Sequence, residues 1–387
     1  MDSQWTMKSF KPFLLLICFL STSLFSNQQA LANLNSRDTL DKIVNKVGGQ
    51  FVNTVGHYGL SIGIIKNGKI YRFNFGSTDS KKNLKPTDHS LYEIASVTKS
   101  FTGLLLAHAV IENKISLEAG IQQYLPKRFS NLAFGGAPIK IKHLVTHTSG
   151  LPKFIPRFEK NLSPDQMMKH FEHFSAAQFL DSLAKVKLNT VPGTKFIYSN
   201  ADAQLIGIIL EEVYHDTYAN LLKKYITGPQ LMNDTRLDVK GLDDARFVRG
   251  HNQKGEVMPG LTWWQNIPAA GYIKSDISDM LKYLKLNLNE KDQAVKLAHR
   301  PLFKVSEEGA DSIGIFWFVK KSPDNQRIVY HAGGSFGTTS YCEIRPDQKS
   351  GIILISNDAS PGTEDDLKKI AALLLNTHIE RRMLNAG

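Results

Sequence analysis

Ser96 and Lys99 stand three residues apart in Ser96-Val97-Thr98-Lys99. Behind them Phe101, Leu104, Leu105, Leu106, Ala107, Val110 and Ile111 read as a helix buried nearly all round, with a polar start. At that spacing on a helix the hydroxyl and the amine share one face and come within hydrogen-bond reach. A serine hydroxyl attacks a carbonyl only when something takes its proton, and a lysine in a dry, electropositive pocket can be neutral enough to do so. Free amides at the helix start would favour negative charge developing beside Ser96. The pair alone also fits an ordinary helix cap with a solvated lysine, so its weight depends on two further stretches.

The first is Tyr198-Ser199-Asn200, which closes Pro192-Gly193-Thr194-Lys195-Phe196-Ile197 and precedes an apolar helix marked by Leu205, Ile206, Ile209 and Val213. A plain account makes Pro192-Gly193 a turn, Tyr198 a packed ring and Asn200 an N-cap. A chemical account lets the Tyr198 phenol relay a proton and Asn200 offer its amide to a substrate carbonyl. The second is His331-Ala332-Gly333-Gly334, after an apolar strand ending at Tyr330. Its plain account is a strand-end histidine and a glycine turn. Its chemical account lets a substrate backbone approach closely at the glycines, with an amide aimed at an oxyanion.

These stretches need a frame to bring them together. Ile43, Val47 and Phe51 recur at helical spacing between Asp38 and Thr54, and the strand patterns Gly59–Lys66 and Lys69–Phe75 flank Asn67-Gly68, a strong hairpin signal. A helix followed by an antiparallel hairpin argues against a doubly wound parallel sheet. Helical patterns and loops then run to about Trp264. Strand patterns return at Ile313–Val319, Arg327–His331, Thr339–Ile344 and Gly351–Ser356, and Ser360-Pro361 opens a last amphipathic helix expected to reach Leu384. The expected fold class is α+β: an antiparallel sheet built from both ends of the chain, flanked by helices, with an inserted, mostly helical lobe. Residues 33–387 are expected to form a single domain, with a sheet lobe at about 33–122 and 268–387 and a helical lobe at about 123–267.

Ahead of it, Lys8 and Lys11, the apolar run Phe13–Phe25 and Ala30-Leu31-Ala32 form the three-part pattern of a secretory signal peptide over residues 1–32. The apolar run is short for a membrane span, so no stable anchor is expected after cleavage. Of two cysteines, Cys18 would leave with that segment, and bulky Ile17 before it argues against a lipid-modified cysteine. Cys342 alone cannot form an internal disulfide, and an exported chain of this kind suits a bacterial periplasm or secretion. The formal charge is +11, but its cations are scattered rather than clustered with aromatics, which argues against a nucleic-acid groove. Solvated lysine faces account for the charge better than attraction to an anionic envelope polymer does.

Leu144-Val145-Thr146-His147-Thr148-Ser149-Gly150-Leu151-Pro152, and Ala269-Ala270-Gly271-Tyr272 followed by Asp279-Met280, join the three ordered motifs. With them the chain resembles the serine hydrolases related to class C β-lactamases and D-alanyl-D-alanine carboxypeptidases, a group that includes esterases, over nearly all of residues 33–387. The resemblance implies a β-lactamase/transpeptidase-like fold with N- and C-terminal helices on one face of the sheet. It implies Ser96 as the acylated nucleophile, Lys99 and Tyr198 as the proton-transfer pair, and Asn200, His331 and Gly333 as substrate-binding residues. The backbone amides of Ser96 and Gly334 would form the oxyanion hole, with no cofactor and no metal. His147 would be structural, shaping a loop beside the site. Substrates would be small esters, amides or peptides, including D-amino-acid peptides of cell-wall peptidoglycan. One departure stands out: where many β-lactamases carry Lys-Thr-Gly, this chain has His331 and Ala332. The hydroxyl lost at Ala332 is worth about 1–3 kcal/mol to a buried carboxylate anchor, so weakened β-lactam recognition is expected. The chain also shows no equivalent of the separate deacylating glutamate of class A enzymes.

Other readings make different demands. A class C-like β-lactamase, or a slow penicillin-binding or sensor protein with little turnover, would use the same residues. Gly333-Gly334-Ser335-Phe336-Gly337 matches a nucleophile elbow, but that elbow needs a helix after Ser335, and His378 is the only histidine downstream. His143 and His147, four apart, and His170 and His173, three apart, raise a zinc site, yet no glutamate follows His143 in the zincin pattern. Trp263-Trp264 could line a groove or simply pack.

Overall fold

Asn67 and Gly68 both take left-handed backbone, with φ of 52° and 72°. That is the geometry of a tight hairpin turn, and it sets the register of β1 (Gly59–Lys66) against β2 (Lys69–Gly76) along their whole length. The computed structural model describes residues 39–79, 84–157, 162–171, 173–237, 246–260, 265–305 and 311–376. The leader pattern at 1–32, Trp263-Trp264 and His378 lie outside the described residues. Helix α1 (residues 39–52) precedes the hairpin. Helix α2 (Thr98–Ile111), helix α3 (Asn200–Tyr214) and helix α4 (Ile277–Asn287) follow it. Then come strands β3 (Phe303–Lys304), β4 (Ser312–Ile313), β5 (Phe318–Lys321), β6 (Arg327–Gly334), β7 (Thr339–Arg345) and β8 (Ser350–Ser356), and helix α5 (Thr363–Asn376).

The eight strands form one antiparallel sheet in the order β2-β1-β8-β7-β6-β5-β4-β3. Strand alternation divides it between two apolar layers. Leu60, Ile62 and Ile64 of β1 join Ile352 and Leu354 of β8 under Leu40 and Val44 of α1 and Leu367 and Leu374 of α5. On the other face, Ile353, Ile355 and Val329 pack with α4, α2 and α3. Gly63 lets α4 lie close, since a Cβ there would be 2.9 Å from the Leu281 side chain. Helix α2 runs through the middle with Thr98–Ala107 and Ala109 all buried, and Phe101 stacks on Tyr283 at 3.7 Å. Among the described residues no helix is long and apolar enough to cross a membrane.

The run Ile313–Val319, expected as one strand, is interrupted. Between β4 and β5 the chain leaves the sheet. Phe316 takes a left-handed φ of 61° and its amide donates to the Val145 carbonyl at 3.0 Å. The segment is apolar because it is buried, and burial alone does not distinguish a strand from a core-filling loop.

A polar corner ties α1 to α5. His57 Nδ1 lies 3.1 Å from Asp358 Oδ2, while Asp358 accepts from Ser356 Oγ and Thr363 Oγ1, each at 2.5 Å. Burial alone would lower the His57 pKa, but the Asp358 hydrogen bond and charge, with Asp366, raise it above the ordinary 6.5. A histidine raised on folding contributes stability that is complete below the unfolded pKa of about 6.5 and fades as pH rises through the folded value. The wild-type melting temperature should therefore fall over that window. The fall should be flattened in His57→Gln, and parallel curves for the two proteins would remove His57 as the cause.

Candidate active site

Ser96 does not sit in the first turn of α2 but one step before it, in a 3-10 turn at Ala95–Val97. Ala95 takes a left-handed φ of 47°, and Ile94 is tied to the Ile273 carbonyl at 3.2 Å, so the turn presents a half-buried Ser96 among buried neighbours. Lys99, in the first turn of α2, is wholly buried. Its Nζ donates to Ser96 Oγ at 3.0 Å and to the Ala270 carbonyl at 2.6 Å, and among the described residues no carboxylate pairs with it. Burial, then the positive charge of Lys153, pushes its pKa well below the ordinary lysine value, against a pull from Asp202. A lysine so placed loses its proton far more readily than one in water. The carbonyl of Ala270 gives a purpose to Ala269-Ala270-Gly271, which the sequence marks only as a motif.

Tyr198 and Asn200 arrive at the start of α3. Ser199 caps that helix by accepting from Asp202 N at 3.2 Å, and its own hydroxyl donates to the Pro152 carbonyl at 2.7 Å. Asn200 is therefore the first helical residue rather than the cap. It is buried, its backbone amide donates to the Lys153 carbonyl at 2.9 Å, and its side-chain oxygen has no partner among the described residues. Tyr198 lies with Lys99 Nζ 5.1 Å from its ring centre. Burial raises its phenol above the ordinary value and a hydrogen bond with Ser96 opposes the rise, so the phenol keeps its proton at neutral pH. His147, expected only to shape a neighbouring loop, packs its ring 4.5 Å from that of Tyr198 and sits 3.1 Å from Asp202, a residue the sequence did not single out.

The third wall is β6, and here the glycine turn of the plain account is corrected. The strand continues through Gly334, and the turn falls at Ser335–Thr338. Beyond Tyr330, β6 is paired only with β7, because β5 reaches no further than its partner Phe318. Its two glycines differ. A Cβ on Gly333 would lie 2.6 Å from the Ile94 carbonyl oxygen and 2.9 Å from Ser96 N, whereas one on Gly334 would meet nothing within 4 Å. The close approach at Gly333 is thus made by the Ser96 turn itself, and Gly334 borders open space. His331 is buried, and burial with the nearby Lys99 charge holds its pKa down at about 3. Its Nδ1 is 2.6 Å from the Ala332 carbonyl, which can only accept, so Nδ1 carries the proton and Nε2 offers a lone pair.

Ser96, Tyr198, Asn200, Ala332 and Gly334 line one cavity of about 510 Å³, with Lys153 on one wall and the ion pair of Glu364 and Lys368 (2.6 Å) on another. Those last three carry no local signal, since nothing in the neighbouring residues marks a surface charge as facing a site. Ser335 also borders the cavity, but its hydroxyl accepts from Thr338 N at 3.1 Å and pairs with Thr338 Oγ1 at 2.8 Å, and a strand follows it, so the elbow reading fails. His143 and His147 are engaged separately, His143 accepting from Lys140 N at 3.2 Å. Among the described residues one trio, His89, Asp234 and Asp276, has metal-like spacing, and the Arg246 guanidinium already fills it at 2.7 Å from Asp234.

A family model described as Beta-lactamase matches residues 44–377. The chain is 26% identical over 308 residues to Protein flp of Staphylococcus aureus (strain NCTC 8325 / PS 47), an alignment covering 77% of this chain and 59% of that relative's length. It is 27% identical over 336 residues to a β-lactamase of Providencia stuartii, covering 78% of this chain and 83% of the relative. In shape it is similar to a β-lactamase/D-alanine carboxypeptidase of Yersinia pestis, with a TM-score of 0.73 at 23% identity over 87% of this chain and 98% of that one. The sheet order, the helices on its two faces and a family match that runs from α1 past the end of α5 agree in one assignment: this chain belongs to the β-lactamase family and has its β-lactamase/transpeptidase-like fold.

Proposed function

We propose that this protein is an exported serine hydrolase that works through an acyl-enzyme on Ser96, acting on small esters and amides, with D-amino-acid peptides of the cell wall among its substrates. The observation that carries the reading is the buried Lys99 amine, 3.0 Å from a serine hydroxyl that opens on the cavity, with no carboxylate to hold its proton among the described residues. In this reading neutral Lys99 takes the Ser96 proton as Oγ bonds to the substrate carbonyl carbon. The amides of Ser96 and Gly334 receive the oxyanion, worth on the order of a hundredfold or more in rate per donor. Tyr198, protonated at rest, gives its proton to the leaving group and regains one through Lys99. Water then attacks the acyl-enzyme by the reverse path. Asn200, with a free side-chain oxygen, orients a donor on the substrate. Export is supported by the leader pattern at 1–32.

Alanine at 332 disfavours fast β-lactam turnover, because that position brings no hydroxyl to the cavity wall to hold a carboxylate. The test is pre-steady-state hydrolysis of p-nitrophenyl acetate with intact-mass readout. The wild type should release a burst of nitrophenol and carry one acetyl group. Ser96→Ala should lose both and slow by roughly a thousandfold or more. Equal rates in the two proteins would end the proposal. Excess penicillin, followed by mass in parallel, divides the substrate classes: a persistent Ser96-dependent adduct favours a cell-wall peptidase or sensor, and no adduct with unconsumed penicillin favours an esterase.

A further inference from the structure

We propose that His147, held by Asp202, is a positioning residue that sets the Tyr198 phenol against Ser96. The proposal rests on the reading of Tyr198 as the proton-transfer partner of Ser96. His147 borders the tyrosine on both sides along the chain: its carbonyl accepts from Ile197 N at 2.7 Å and its Nδ1 lies 3.3 Å from Ser199 N. Between those two contacts its ring lies 4.5 Å from the Tyr198 ring, tilted by 43°. The tyrosine backbone therefore has little freedom to rotate its phenol away from Ser96. The histidine ring is itself fixed. Nδ1 donates to Asp202 Oδ2 at 3.1 Å, Asp202 Oδ1 accepts from Ser149 Oγ at 2.5 Å, and the Phe316 ring closes the remaining face at 5.3 Å.

Two local costs mark this as more than loop filling. His147 holds a left-handed φ of 54°, a conformation that non-glycine residues avoid and that persists only where the surroundings impose it. Its Nε2 is buried without a partner among the described residues, which a residue chosen only to fill the loop would not need to be. Phe316, whose ring packs on it, is left-handed as well, and so is Ala95 ahead of Ser96. Strain at His147 is thus concentrated beside the reacting groups. The titratable groups facing the ring are Asp202 on α3, Lys99 on α2, Tyr198 beside it and His331 on β6. With Lys99 acting on both His147 and Asp202, a loosened ring should alter the pH at which the Ser96 unit becomes active.

The experiment compares His147→Gly and His147→Asn, both of which accept left-handed backbone. Hydrolysis of p-nitrophenyl acetate is normalised to titrated active sites. His147→Gly should lower kcat by about thirtyfold to a hundredfold, leave KM within about threefold, and displace the acid limb of the pH profile. His147→Asn, whose side-chain amide can donate to Asp202 in place of Nδ1, should recover about fivefold of that loss without restoring it fully. A kcat per active site within about threefold of wild type, with an unmoved pH profile and only a lower melting temperature, overturns the proposal in favour of a purely structural histidine. If His147→Gly does not fold, His147→Asn decides: a kcat reduced about tenfold supports the proposal and an unchanged one overturns it. A wild-type chain that forms no acyl-enzyme would instead overturn the hydrolase reading beneath it.

Discussion

Lys99→Met should leave a protein that folds at least as well as the wild type and acylates Ser96 roughly a thousandfold more slowly, or worse. The two halves of this expectation come from the same fact. Lys99 is wholly buried, its amine bonded among the described residues to Ser96 Oγ and the Ala270 carbonyl. Burying such a group costs stability, and an unbranched apolar side chain of similar length fills the same tunnel without that cost. The lost group is also the one that, in the proposed reading, takes the proton of the serine hydroxyl. Lys99→Arg makes the complementary test. Its guanidinium stays protonated at any working pH, so the positive charge survives while the proton acceptor does not. It should be about as slow as Lys99→Met, and poorly packed as well. Stopped-flow acylation with an activated ester, beside thermal melts, reads both halves. Acylation of Lys99→Met within about tenfold of wild type would falsify the assignment of Lys99 as the base.

Gly333→Ala should cost at least about a hundredfold in kcat/KM, whereas Gly334→Ala, one residue on, should cost no more than about threefold. The contrast is geometric. At Gly333 a methyl group would sit 2.6 Å from the Ile94 carbonyl oxygen, 2.6 Å from Ser340 Oγ and 2.9 Å from Ser96 N, and the first and last of these are backbone that cannot rotate away. The Ser96 turn must retreat from β6, widening the gap between the two amides that would hold the oxyanion. At Gly334 the methyl group enters open space, and the backbone there is not left-handed. Steady-state kinetics on one ester, with melting temperatures to separate misfolding from misplacement, decide the matter. Similar losses at both positions would show that the strand is sensitive to any side chain rather than to this contact.

Much of this arrangement could be read from the residues. Asn67-Gly68 allowed a hairpin and little else, and the spacing of Ser96 and Lys99 on an apolar helix placed the hydroxyl and amine together before any distance was known. What failed to show had a common cause. The break between β4 and β5, the continuation of β6 through its glycines and the inward turn of His147 are set by long-range packing: Phe316 on Val145, Gly333 on Ser96, and His147 on Asp202. Local pattern cannot express a contact between segments tens or hundreds of residues apart. Glu364 and Lys368 were hidden differently. As an ion pair four residues apart near the start of α5 they look like ordinary helix-surface charges, and only the fold turns that surface toward the cavity.

Strand β1 lies early in the chain, yet one of its two neighbours, β8, ends at Ser356. During synthesis the hairpin of β1 and β2 can close at once, while the other edge of β1 waits until β8 has been made. Until β8 inserts, a strand carrying Leu60, Ile62, Ile64 and Ile65 offers its unpaired amides and carbonyls to any passing extended segment. Ser96 is in the same position, since the strand that presses against its turn is made more than two hundred residues after it. In the proposed reading, a nascent polypeptide that stops short of β6 has Ser96 and Lys99 but no third wall. The liability of such a fragment is aggregation through the exposed edge of β1.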